Sequence, residues 1–187
     1  DTSSMTVTVE ATLVLTSAIN DMLYHAPYLL LANNDAGLVM LDVTADITPT
    51  VVGARAITGK ALRVEAREQR AYVLFERTGL HVFDISNPAN IVEIGSRFLS
   101  ERITALARKD ATLYIGTADG KLLMIDASDD VAPGPANPVP DWDTSLGPVH
   151  DLVVVADRLY VAHGSYLSLY DVATPLQPVR NGRYQAP

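Results

Sequence analysis

RAYVLFERTGLHVFDISNPANIVEIG, from Arg70 to Gly95, is the stretch whose reading decides the fold. It reads as strand, tight turn, strand, aspartate-led turn, strand. Tyr72-Val73-Leu74-Phe75 and Leu80-His81-Val82-Phe83 are short apolar runs rich in aromatic and branched residues. Gly, Asp, Asn and Pro bound them, as they bound strands in hairpins. Outward from this stretch, the same phrase occurs once before it and twice after it. Leu30, Tyr72, Tyr114 and Tyr160 align, as do Gly37, Gly79, Gly120 and Gly164. So do Leu38, Leu80, Leu122 and Leu167, and the aspartates Asp42, Asp84, Asp126 and Asp171. The aspartates fall 42, 42 and 45 positions apart, and Gly53, Gly95 and Gly182 each lie 11 after theirs.

A period of roughly 40–45 residues suits either a helical-pair solenoid or a four-stranded propeller blade. No window keeps an i, i+3, i+4, i+7 apolar stripe long enough for a helix. The expected fold is therefore all-β, a β-propeller of about four four-stranded blades with strands a to d. The blades are placed at about 19–56, 61–98, 103–142 and 149–184, in a single domain or propeller segment. Propellers carry roughly 4 to 8 blades, so four units fit either a closed small ring or part of a larger one. Met5 to Leu15 (MTVTVEATLVL) aligns with the strand near Thr50-Val51-Val52-Gly53-Ala54 and is expected as an extra outer strand. It either completes the last blade and closes the ring, or belongs to a preceding blade.

The repeated residues have turn chemistry. Gly37, Gly79 and Gly120 stand between strands b and c, where a tight hairpin needs positive φ. Each repeated Asp ends strand c, where its carboxylate can accept the N–H groups that follow and set an Asx-turn. Four copies of one turn do not point to catalysis. Ala132 to Asp143 (APGPANPVPDWD) carries four of the eleven prolines and the only Trp. Proline cannot donate to a ladder, so the outer strand of blade three is expected to be irregular, with Trp142 covering an apolar edge.

Composition narrows the function classes. Fourteen Lys and Arg against 22 Asp and Glu give a net charge of −8, which argues against nucleic acid or an anionic membrane as a general partner. There are no cysteines, so disulfides and thiolate metal sites are excluded. No apolar run approaches the roughly 20 residues that span a bilayer. The chain starts with Asp and carries no charged-then-apolar leader, as expected of a mature form or an excised part of something longer.

The unit resembles the LVIVD-repeat family, whose pattern is A-Y-V-A-x-(few)-G-L-x-V-I-D-V-S-N-P-x-x-P-x-x-V-G. Ala71-Tyr72-Val73, Gly79-Leu80-His81-Val82-Phe83-Asp84-Ile85-Ser86-Asn87-Pro88 and Val92-Glu93-Ile94-Gly95 carry the match. Gly37-Leu38-Val39-Met40-Leu41-Asp42-Val43-Thr44 and Tyr170-Asp171-Val172-Ala173-Thr174-Pro175 match in part. Blade three departs, with Ser128-Asp129-Asp130 in place of Ser-Asn-Pro. The resemblance implies a β-propeller in a secreted or surface-attached protein and no defined reaction.

In a propeller the starts of strands a and the b–c turns share one face. Asn20, Asp21, Arg63, His150 and Asp151 belong to the former, and Asp35, Glu76, Arg77, Asp119 and His163 to the latter. These ten are the candidate ligand-binding residues, because loop faces are where folds carry binding. No nucleophile elbow, phosphate loop or dinucleotide fingerprint is present. The expectation is a non-enzymatic, extracellular or cell-surface scaffold without a cofactor. Its partner would be a protein or a glycan, or another segment of a larger protein. The alternative is a metal-dependent hydrolase or lyase with a site at the channel mouth, using His150, His163, Asp21 and Asp151.

Overall fold

The computed structural model describes residues 12–44 and 48–185. Both apolar runs of the deciding stretch, Tyr72–Phe75 and Leu80–Phe83, lie in strands. Blade one is β1 (Asp21–His25), β2 (Tyr28–Asn33), β3 (Gly37–Asp42) and β4 (Thr50–Arg55). Blade two is β5 (Ala61–Arg67), β6 (Arg70–Phe75), β7 (Gly79–Asp84) and β8 (Val92–Arg97). Blade three is β9 (Ile103–Lys109), β10 (Thr112–Thr117), β11 (Leu122–Asp126) and β12 (Asn137–Pro138). Blade four is β13 (Val149–Val155), β14 (Arg158–His163), β15 (Tyr166–Asp171) and β16 (Val179–Gln185). Each blade is a four-stranded antiparallel meander paired in chain order.

The turns follow the residues. Gly37, Gly79 and Gly120 take φ of 76°, 92° and 81°, and each opens a b–c hairpin. Asp42, Asp84, Asp126 and Asp171 each accept the backbone N–H two residues on, at 2.8, 2.9, 2.9 and 2.9 Å. The proline-rich outer strand of blade three shrinks to the two residues of β12. Trp142 packs on the core between blades three and four and donates its indole N–H to the Gly120 carbonyl at 2.7 Å.

Residues 1–11, most of the expected extra outer strand, lie outside the described residues. Residues 12–15 are described and form no strand. Blade four's third strand, β15, already has β14 on one side and β16 on the other.

Packing between blades is sequential. One core joins blades one and two through Leu30, Leu38 and Met40 against Val64, Val73 and Phe83. A second joins blades two and three through Tyr72, Leu74 and Leu80 against Leu106, Ile115 and Ile125. A third joins blades three and four through Tyr114, Leu122 and Val139 against Leu152, Val161 and Tyr170. Among the described residues no core joins blade four to blade one. The inner strands repeat this order: β1 packs on β5, β5 on β9 and β9 on β13, with no comparable packing of β13 on β1.

Each interface also closes on the next blade's c–d turn. The Tyr72 hydroxyl donates to Asp130 Oδ1 at 2.6 Å, and the Tyr114 hydroxyl donates to the Pro175 carbonyl at 2.5 Å. Asp130, where blade three departs from the Ser-Asn-Pro pattern, also pairs with Arg67 and Arg70 at 3.4 Å. The repeated glycines of the outer strands lie under the same turns. A Cβ on Gly53 would stand 1.8 Å from the Pro88 carbonyl oxygen, and one on Gly95 2.2 Å from that of Asp130.

Those backbone contacts cannot move aside without shifting a whole blade. Gly53→Ala and Gly95→Ala should each destabilise the fold by about 1–3 kcal/mol or more, the cost of overpacking. The denaturant midpoint should fall at constant m-value in both variants. An unchanged midpoint would show that the blades are not seated as described.

Candidate functional site

The face that carries the b–c turns also carries the d–a loops, because each outer strand ends there before the next inner strand begins. Between blades two and three these loops enclose a cleft of about 400 Å³ lined by Leu62, Glu76, Arg77, Ser100, Glu101, Arg102 and Ile103. A second hollow of about 290 Å³ shares Ser100, Glu101 and Arg102 and continues to Ala118, Asp119 and Lys121. Together they make one groove with an apolar floor at Leu62 and Ile103 and a rim of mixed charge.

The rim is ordered by ion pairs. Lys121 Nζ lies 3.1 Å from Asp119 Oδ2 and 3.5 Å from Glu101 Oε1. A hydrogen bond from the Thr117 hydroxyl and the Lys121 ammonium hold the Asp119 carboxyl below its usual range. Asp119 in turn raises the Lys121 ammonium. Glu76 and Arg77 are exposed, and Arg77 sits in the left-handed region at φ 74°. Such strain in a non-glycine residue is tolerated where the surrounding turn fixes it.

Three of the ten sequence candidates line this groove: Glu76, Arg77 and Asp119. Glu101, Arg102 and Lys121 complete it and were missed. The signal was present in the polar run Ser100-Glu101-Arg102, which follows strand d on the same face.

Asn20, Asp21 and Arg63 are not free for a ligand. Asn20 Nδ2 donates to the Ala61 carbonyl at 2.7 Å, and Asp21 Oδ2 accepts from Val64 N–H at 3.0 Å. Arg63 donates to the Thr104 carbonyl. Thr104 continues the series, its hydroxyl donating to the Val149 carbonyl at 2.6 Å. These side chains tie neighbouring inner strands together. Asp35 stays on the blade-one turn, where its N–H faces the Ser17 hydroxyl at 3.3 Å. Beside it the buried Asn33 amide lies 2.8 and 3.1 Å from the Ser17 and Ala18 carbonyls.

Blade four does not assemble the metal site considered from sequence. His163 is buried, its Nε2 2.8 Å from Ser168 Oγ and its ring edge-on to Trp142 at 4.5 Å between centroids. Burial and then the Arg183 charge lower its pKa, so its imidazole is neutral at pH 7. Asp151 accepts from its own neighbour Leu152 at 2.9 Å, while Asp21 belongs to blade one at the far end of the series. His150 and His163 share only a shallow hollow of about 320 Å³ with Tyr166, Leu167 and Tyr184. Among the described residues no three His, Asp or Glu side chains converge to hold an ion. No helix among them is long and apolar enough to cross a membrane.

The repeat that builds this groove has a family signature. Residues 58–97 match the family model of the LVIVD repeat. That segment is blade two, from the loop before β5 to the end of β8. No curated protein matches the chain. Among solved structures it is similar to the computationally designed Ika4 protein, at 15% identity and a TM-score of 0.68, over 89% of this chain and 99% of that one. It is also similar to the β-propeller domain of Cps50 (Swd1) from Myceliophteria thermophila, at 15% identity and 0.66, over 89% and 58%. Sqt1 from Chaetomium thermophilum, bound to the N-terminus of ribosomal protein L10, matches at 15% identity and 0.66, over 93% and 52%. The chain thus spans just over half the length of these two natural propellers. At such identities the likeness is one of fold, and the fold is a β-propeller built in part from the LVIVD repeat.

Two residues along β5 from Arg63, Glu65 is enclosed between the LVIVD blade and blade three, with Arg108 Nε 3.9 Å away. Burial pushes its carboxyl up to about 7, Arg108 opposing and Asp21 reinforcing the rise. A carboxyl raised on folding contributes stability that is present below its unfolded value near 4.5 and is lost as pH climbs towards about 7. Glu65→Gln removes that loss. The melting temperature of the variant, relative to the parent, should therefore be higher at pH 8 than at pH 4.5. A difference independent of pH would contradict the assignment.

Proposed function

We propose that this propeller is a non-enzymatic extracytoplasmic scaffold that holds a protein or glycan partner on its loop face. The observation that carries the reading is the charged groove between blades two and three. Its rim alternates Glu76, Arg77, Glu101, Arg102, Asp119 and Lys121 around an apolar floor. Mixed charge over an apolar base suits a polar chain lying along the groove, whether a peptide or an oligosaccharide. The solved Sqt1 propeller, which is bound to a peptide terminus, is a precedent of fold for such use. The extracytoplasmic setting is supported by the LVIVD resemblance and is compatible with the lack of cysteine.

Peptide and glycan arrays probed with the parent and with an Arg77→Glu, Arg102→Glu double variant test this reading. The parent should bind a defined subset, and the variant should lose at least about tenfold in affinity, some 1.4 kcal/mol. Its melting temperature should not change, because both arginines are exposed. Equal binding by the two proteins, or turnover of a glycan or ester by the parent, would contradict it.

A further inference from the structure

The three interfaces within the chain use one face of each blade against the opposite face of the next. Blade four therefore retains one face of the joining kind with nothing against it among the described residues. The aligned leucines show this directly. Leu38, Leu80 and Leu122 are 0%, 0% and 1% exposed, whereas Leu167 at the same place on blade four is 41% exposed. Tyr72 and Tyr114 are fully buried by the blade that follows, and Tyr160 is only half-buried. Val153 and Tyr184 lie exposed on the same face, cross-strand from Tyr160 and Leu167.

The glycine of the outer strand gives a second and independent sign. Gly53 and Gly95 have no room for a Cβ because the next blade's c–d turn lies on them. Gly182 aligns with both, yet a Cβ there would meet only the Tyr184 ring, at 3.7 Å. Blade four thus carries the seat for a turn that nothing occupies among the described residues. Repeat arrays end in caps whose outer face is polar, whereas Val153, Tyr160, Leu167 and Tyr184 make the middle of this face apolar.

We propose that the outer face of blade four is the docking surface for a further blade of this same repeat, and that the four blades are an arc of a larger ring. The occupant is a four-stranded antiparallel blade. Its inner strand covers Val153 and its second and third strands cover Tyr160 and Leu167. Its c–d turn places a backbone carbonyl over Gly182, in the relation of Pro88 to Gly53.

The test appends a copy of residues 57–98 after Gln185 of the full chain and follows amide exchange and the unfolding midpoint. The added blade should fold, the amides of β14 and β15 should become at least about tenfold more protected, and the midpoint should rise. Gly182→Ala or Leu167→Arg in the extended chain should abolish those gains. The same substitutions in the unextended chain should leave its midpoint unchanged, which separates lost docking from lost folding. An added segment that exchanges freely would overturn the proposal, as would one that folds regardless of both substitutions. Self-association of the unextended chain that Leu167→Arg disrupts would also overturn it, by giving this face to a second copy.

Discussion

Each blade is held by the turn of the blade that follows it. The second strand of one unit sends a side chain across the interface, and in blades one and two the fourth strand leaves a bare glycine backbone beneath it. Between them sits the c–d turn of the next unit, fixed by its own aspartate. Tyr72 with Asp130 and Tyr114 with Pro175 are the polar forms of this contact. In blade one Leu30 has no hydroxyl, and apolar packing with Gly53 under Pro88 takes the place of that bond. A four-stranded sheet cannot bury both faces by itself, so this contact turns four marginal hairpin pairs into one body.

The same constraint decides where function can lie. One end of each interface is occupied by a c–d turn, with arginines gathered on Asp130 between blades two and three. At the other end the b–c turns and d–a loops spread apart, and between blades two and three they leave a groove. Inner-strand residues at that end are mostly taken up by inter-blade bonds. The side chains left to meet a partner are those on loops, as in other folds where a rigid scaffold presents variable segments.

The sequence was most informative where backbone conformation restricts residue choice. Gly37, Gly79 and Gly120 have positive φ, and the four aspartates hold their Asx-turns, so strands and turns could be placed from residue types alone. The roles of Asn20, Arg63 and Thr104 could not be read so. All three donate to a carbonyl of the next inner strand, yet they are chemically unlike one another and sit at two adjacent repeat positions. Only the approach of two inner strands makes the shared task visible. Glu101 and Arg102 escaped notice because the d–a loop has no repeated residue to mark it, and Lys121 because the repeat beside it, Gly120, marks the b–c turn and not its cation. His163 looked like a ligand in sequence and is instead a packed ring on Trp142 and Ser168. Asp130 seemed a lapse from the repeat, and its replacement of proline is what gives Tyr72 and two arginines their acceptor.

A double-mutant cycle on Tyr72 and Asp130 tests most directly whether contact with the following turn holds the blades together. Tyr72→Phe, Asp130→Ala and the pair would be compared by denaturant unfolding. A hydroxyl donating to a carboxylate across an interface should give a coupling energy of about 1–3 kcal/mol, with the double variant little worse than the poorer single one. Strictly additive losses would mean that the two residues do not communicate, and that the blades are joined by something other than the contact described.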